Sequence, residues 1–186
     1  VSGDLATSSI GFSYTNNSKG SSLKNLTVNE FETQIKIDNI DGQVGGNCNE
    51  YMTLENLNVG TDLTGNTPKM NQKVGFYAID SNCINVSGST FAVSGSMFGD
   101  TNVRVQSAED VVFDNSNIGV TSNRNSVVNS GINFWGASIT NLTVKNSYLS
   151  ADDANDDIMN LEKNRGGERF RKRILKTRFF RFLLRF

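Results

Sequence analysis

Met52-Thr53-Leu54-Glu55-Asn56, Ile84-Asn85-Val86-Ser87-Gly88, Val111-Val112-Phe113-Asp114-Asn115 and Leu142-Thr143-Val144-Lys145-Asn146 are four copies of one phrase, and Leu26-Thr27-Val28-Asn29 is a shorter fifth. Each copy alternates apolar, any residue, apolar, and then reaches Asn or Gly within two residues. A further apolar residue follows at Phe31, Leu57, Phe91, Ile118 or Leu149. The copies begin 26–32 residues apart. Self-similarity at such a period marks a solenoid, in which one coil buries its apolar face only against its neighbours. The period sets the fold class before any single residue is weighed.

Two further apolar pairs flank the phrase. Phe12/Tyr14, Ile35/Ile37, Phe76/Ala78, Val103/Val105 and Ile132/Phe134 precede it; Leu57/Val59, Phe91/Val93 and Ile118/Val120 follow, with Phe31 and Leu149 as partial versions. Strict alternation sends the apolar members to one face and the polar members to the other. Three short strands per coil, with apolar members inward, give an all-β parallel β-helix of about five coils over 10–150. Asn29, Asn56, Gly88, Asn115 and Asn146 fall at the bend between the second and third strands. Asn and Gly tolerate the left-handed backbone of a sharp corner, and stacked Asn amides form hydrogen-bonded ladders. They read as structural corners rather than ligand contacts.

Composition agrees. A single Pro among 17 Gly in 186 residues suits a β-rich chain of tight turns. No His is present, which removes the usual general base, Ser-His and Cys-His pairs and His-ligated metals. The net charge of −1 hides an asymmetry: residues 1–160 carry −9 and residues 161–186 carry +8. Such a step marks a boundary, so the chain divides into a β-helix over 1–150, an acidic linker over 151–160 and a basic Phe/Arg-rich tail over 161–186. In the tail, Leu175, Phe179, Phe182 and Phe186 share a stripe if helical, beside Arg178, Arg181 and Arg185. A cationic amphipathic helix suits an anionic membrane surface. The abrupt change of residue usage favours another reading, an unrelated helical or disordered terminus, such as the product of a shifted frame, on a truncated solenoid. The chain opens at Val1 without Met, which predicts processing or excision from a longer protein. No secretory apolar core and no run long enough to span a bilayer is evident.

The strand–Asn corner–strand phrase resembles the right-handed parallel β-helices of the pectin-lyase-like superfamily, shared by polysaccharide lyases, phage tailspikes and passenger domains of bacterial autotransporter adhesins. The resemblance covers roughly Ile10–Ser150. It implies either a secreted or cell-surface binding segment or a carbohydrate-active protein, since this fold carries many activities. Lyases of the group bind Ca²⁺ through several carboxylates and use a basic residue as proton acceptor. Here the outward positions Ser13, Lys36, Tyr77, Arg104 and Asn133, and Thr27, Thr53, Asn85, Val112 and Thr143, hold no carboxylate, which argues against catalysis. The acidic run Asp152–Asp157 lacks the glycine and distal Glu of an EF-hand and reads as a solvated linker.

The leading expectation is a non-enzymatic adhesin or passenger-type segment without a cofactor or metal. It would present the corner loops Asp38–Glu50, Gly60–Lys73 and Thr121–Ser130 to a host-cell or neighbouring-cell ligand, which includes glycans. The alternative is a polysaccharide-binding or polysaccharide-cleaving β-helix with a groove of Tyr77, Arg104, Asp110 and Trp135, whose aromatic rings stack on sugars. Nucleic acid is not expected as a partner, because the acidic body repels phosphate, and membrane contact is expected only through the tail. Cys48 and Cys83 precede equivalent apolar pairs on neighbouring coils about 4.8 Å apart. They form a candidate disulfide if the Gly45-Gly46 loop folds inward, with two free thiols as the alternative.

Overall fold

The computed structural model describes residues 9–69, 72–94, 100–125 and 132–149 in full, and the backbone of 159–165, 168–174 and 182–185. The first coil holds β1 (Ile10–Thr15), β2 (Ser22–Lys24) and β3 (Thr27–Val28). The second holds β4 (Thr33–Asp38), a hairpin of β5 (Gln43–Val44) and β6 (Asn47–Cys48), then β7 (Met52–Glu55) and β8 (Asn58–Val59). The third holds β9 (Val74–Ile79), β10 (Asn82–Ser87) and β11 (Thr90–Phe91). Next come β12 (Thr101–Asp114), β13 (Asn117–Ile118) and β14 (Ile132–Leu149), and the tail contributes β15 (Met159–Arg165), β16 (Glu168–Ile174) and β17 (Phe182–Arg185).

Apart from the hairpins and the tail, the pairing is parallel and always links one coil to the next. Phe12, Ile35, Phe76, Val103 and Phe134 stack in one column. Leu23, Leu54, Val86, Phe113 and Val144 stack in a second, and Val28, Val59, Phe91, Ile118 and Leu149 in a third. The chain is thus a parallel β-solenoid. Five strand levels enclose four coil-to-coil steps, so it makes about four turns where the repeat predicts about five coils. All members of these columns except Phe12 are buried. Phe76, Phe91, Phe113 and Phe134 pack edge-on or tilted, with centroids 5.5–6.2 Å apart. Burying each ring stabilises the prism by roughly 1.5–3 kcal/mol.

The corner between the second and third strands holds Asn25, Asn56, Gly88, Asn115 and Asn146, all at φ between 49° and 57°. Backbone bonds of 3.0–3.1 Å tie Asn25, Asn56, Gly88 and Asn115 each to the next coil, as from Asn56 N–H to the Ser87 carbonyl. Asn29, expected here, is not part of this column. The first coil is displaced: Leu23, not Val28, pairs with Leu54, and Lys24 meets Glu55 in a 2.8 Å ion pair. Asn29 instead sits buried one step past the third strand and donates its amide to the Thr61 carbonyl at 2.6 Å.

Immediately after the corner, Ser89, Ser116 and Ser147 point inward and are fully buried. Each hydroxyl donates to the carbonyl two residues back, at 2.9, 3.0 and 2.7 Å. Each also accepts a backbone N–H from the preceding coil: Leu57 to Ser89, Ser89 to Ser116 and Ser116 to Ser147. In a second buried polar step the Asn102 side-chain amide donates a hydrogen bond to Asn133 Oδ1 at 2.6 Å, while Asn102 Oδ1 accepts the Val93 N–H.

The described backbone of the tail is extended, which corrects the expected helical or disordered course for these segments. β15 continues the first sheet in parallel from Phe134↔Met159, β16 folds back on β15, and β17 pairs antiparallel with β14 from Thr143↔Arg185. The free edge of β14 supplies the main-chain groups for this pairing. The stripe residues Leu175, Phe179 and Phe186 and the acidic run at 152–157 lie outside the described residues.

Candidate functional site

Alternation along β9, β12 and β14 turns Tyr77, Arg104 and Trp135 outward, and the parallel register places them side by side: Tyr77 pairs with Arg104, and Arg104 with Trp135. The Arg104 guanidinium lies 4.8 Å from the Tyr77 ring centroid and 4.7 Å from that of Trp135. A cation between two aromatic faces is held by both ring quadrupoles. Its Nη2 reaches Gln106 Oε1 at 3.5 Å, which the Tyr77 hydroxyl also approaches at 3.4 Å. Arg104 Nε is buried with no hydrogen-bond partner. Lys36 extends the row by one coil, beside Tyr77, and donates to Asp38 at 2.7 Å.

Trp135 enters this row because Phe134, not Ile132, stacks on Val103. Asn133, expected outward, is therefore buried. Asp110, the fourth member of the expected groove, lies elsewhere, past the left-handed bends at Ser107 (φ 49°) and Asp110 itself (φ 55°). Its carboxylate accepts the Asn141 amide at 3.0 Å and the Gln43 amide at 3.2 Å. It also lies 3.4 Å from Cys48 Sγ. Cys48 and Cys83 are joined as a disulfide with a Cα–Cα distance of 5.5 Å. Gly45 and Gly46, both at positive φ, form the tip of the β5–β6 hairpin that carries Cys48 to the corner.

The corner loops form a second surface. The Gly60–Lys73 loop belongs to the second coil, and the loop opening at Thr121 belongs to the fourth. They meet nonetheless: Ser122 N–H donates to the Gly65 carbonyl at 2.9 Å, and Asn123 N–H to Asn66 Oδ1 at 3.0 Å. Asp62 organises the first loop. Its Oδ1 accepts the Thr64 hydroxyl and the backbone N–H groups of Thr64, Asn66 and Thr67, at 2.8–3.3 Å. The Thr64 and Thr67 bonds hold its carboxyl well below the ordinary aspartate range. Leu63 projects from this loop at 84 % exposure. Thr27, Asn29, Glu30, Asp62, Leu63, Thr64 and Lys69 line a recess of about 470 Å³ beneath it. The Asp38–Glu50 loop emerges at a different corner, beside the disulfide, and displays Val44. Residues 70–71 and 126–130 of the expected loops lie outside the described residues.

Sequence reasoning missed Gln106 and the Asp62 cage. Gln106 had a signal, since it stands two residues after Arg104 on the same outward face. The Asp62-Leu-Thr-Gly-Asn-Thr67 run carries the Asx-turn residues Asp, Gly and Asn. Among the described residues, no helix is long and apolar enough to cross a membrane. Comparison of the chain with protein-family models, with curated proteins and with solved structures found no match.

Proposed function

We propose that this β-solenoid is a secreted or cell-surface binding segment of the adhesin or passenger type, which engages a host-cell or neighbouring-cell ligand through its corner loops. The observation that carries this reading is the interlocking of the Gly60–Lys73 and Thr121 loops across an intervening coil. Two loops from non-adjacent coils become one surface on a rigid prism, so the ordering cost of binding is largely met beforehand. The exposed Leu63 supplies an apolar anchor, and the recess beside it adds hydrogen-bonding groups such as Thr27, Thr64 and Lys69.

A second reading, polysaccharide binding or cleavage, is favoured by the Tyr77–Arg104–Trp135 row. Flat aromatic and cationic groups one coil apart suit the edges and faces of sugar rings. Binding to cultured cells and to a glycan array separates the two. Leu63→Asp with Asn66→Ala is expected to reduce cell binding at least tenfold and leave glycan signals unchanged. Loss of glycan binding in Arg104→Ala, with cell binding intact, would support the polysaccharide reading instead. New reducing ends or double bonds in a bound polysaccharide would establish cleavage.

A further inference from the structure

Asp110 occupies a place that the disulfide alone does not explain. Cys83, Asp110 and Asn141 stack at equivalent left-handed corners of successive coils, at φ 59°, 55° and 56°. Asp110 Oδ2 rests 3.4 Å from Cys48 Sγ, yet a disulfide sulfur has no proton to donate. Two amides, from Gln43 and Asn141, hold the carboxylate in that orientation. The two sulfurs and a carboxylate oxygen all lie within 4.8 Å of one another.

We propose that reduction of Cys48–Cys83 converts this corner into a binding site for a thiophilic divalent cation of the Zn²⁺ class. A dithiol reductant supplies two electrons and two protons, the S–S bond breaks to two thiols, and the reductant becomes a disulfide. The cation then displaces both thiol protons to solvent and takes two thiolates and one Asp110 oxygen. Tetrahedral Zn–S and Zn–O bonds of about 2.3 and 2.1 Å place neighbouring ligand atoms roughly 3.5–3.8 Å apart. At 3.4 Å the contact between the carboxylate and Cys48 is already close to that separation, and the sulfurs reach it once the bond between them is gone. Gln43 and Asn141 then serve as the outer hydrogen bonds that orient a ligating carboxylate. The fourth position is left to water. Cys48 and Asp110 are only half-buried, so the cation and the reductant have access, whereas Cys83 is fully buried and fixes the site to the prism.

The test is a Co²⁺ titration of the full chain before and after reduction by a non-thiol phosphine, which avoids competing thiols. The reduced chain is expected to bind one Co²⁺ with a thiolate-to-cobalt charge-transfer band, and Zn²⁺ is expected to abolish the band. The oxidised chain is expected to show none. Asp110→Asn keeps a residue that tolerates the left-handed corner and should weaken binding more than tenfold. Gln43→Ala should weaken it by about tenfold, as loss of an outer partner does. Absence of the band in the reduced chain would overturn the proposal, as would equal binding by the Cys48→Ser/Cys83→Ser variant. Loss of the β-solenoid circular dichroism on reduction would also overturn it, because the ligands would no longer share a corner.

Discussion

The fully buried Ser147 hydroxyl donates to the Lys145 carbonyl at 2.7 Å and accepts the Ser116 N–H at 3.0 Å. Ser147→Ala leaves the carbonyl partnered, because Asn115 N–H also donates to it at 3.1 Å, but it orphans the buried Ser116 N–H. An unsatisfied buried donor costs about 1–3 kcal/mol, and urea denaturation should show that loss; an unchanged midpoint would remove the serine ladder from the stability account. At Asn115 the constraint is the backbone. Its φ of 49° is open to Gly and resisted by a β-branched side chain, so Asn115→Val should destabilise by about 1–2 kcal/mol more than Asn115→Gly. The corner asparagines were legible in the sequence because their conformational preference is local. The inward serines were not. A left-handed residue resets the alternation, so the polar Ser after Gly88 or Asn115 turns inward where a simple count of two sends it out.

Strand register decides what each element buries. Val111 is fully buried, whereas Thr143 faces out one coil away. Val111→Asp places a carboxylate among apolar neighbours and should cost far more than the ~1 kcal/mol of an average substitution. Thr143→Asp should cost about 0.5 kcal/mol or less, and equal losses of melting temperature would refute the register. The second apolar column was readable from the repeat in every coil but the first. The first column slips by two residues in the last coil, where Phe134 and not Ile132 meets Val103, and the third slips in the second coil, where Val59 and not Leu57 meets Phe91. In the first coil, Asn25 and Asn29 flank one apolar pair and local preference accepts either as the corner; pairing of Leu23 with Leu54 and Lys24 with Glu55 selects Asn25. Trp135 was assigned to the expected groove from the sequence, but its place in the row depends on whether Ile132 or Phe134 stacks on Val103, a choice made by long-range packing. The Asp62 loop adds a pH signature. Its folded-state pKa is depressed by Thr64 and Thr67 hydroxyl bonds, so its stabilisation is complete above the unfolded value of about 3.9. It fades as pH falls from there toward the depressed folded value. A carboxyl titration followed by NMR should place Asp62 below that ordinary value, and a midpoint at 3.9 would show that the cage does not form.

At the scale of the whole molecule, the acidic body and the basic tail pull in opposite directions. β15 and β17 pair with β14, the last strand of the solenoid, so these described parts of the tail cover stretches of an edge that would otherwise present a row of free N–H and C=O groups. The residue usage of the tail points to an appendage whose loss changes nothing; the pairing points to a cap. Removing 161–186 has two consequences that act against each other. It opens the β14 edge, and it takes the net charge from −1 to −9, which keeps molecules apart by mutual repulsion. Salt separates them. At low ionic strength the truncated chain should remain in solution with a lowered melting temperature. At about 1 M salt, where the screening length falls to about 3 Å, the exposed edge should drive aggregation that the full chain resists. A melting temperature equal to that of the full chain, with no salt-dependent aggregation, would mean that β14 needs no partner and that the tail is a passenger on the solenoid rather than its cap.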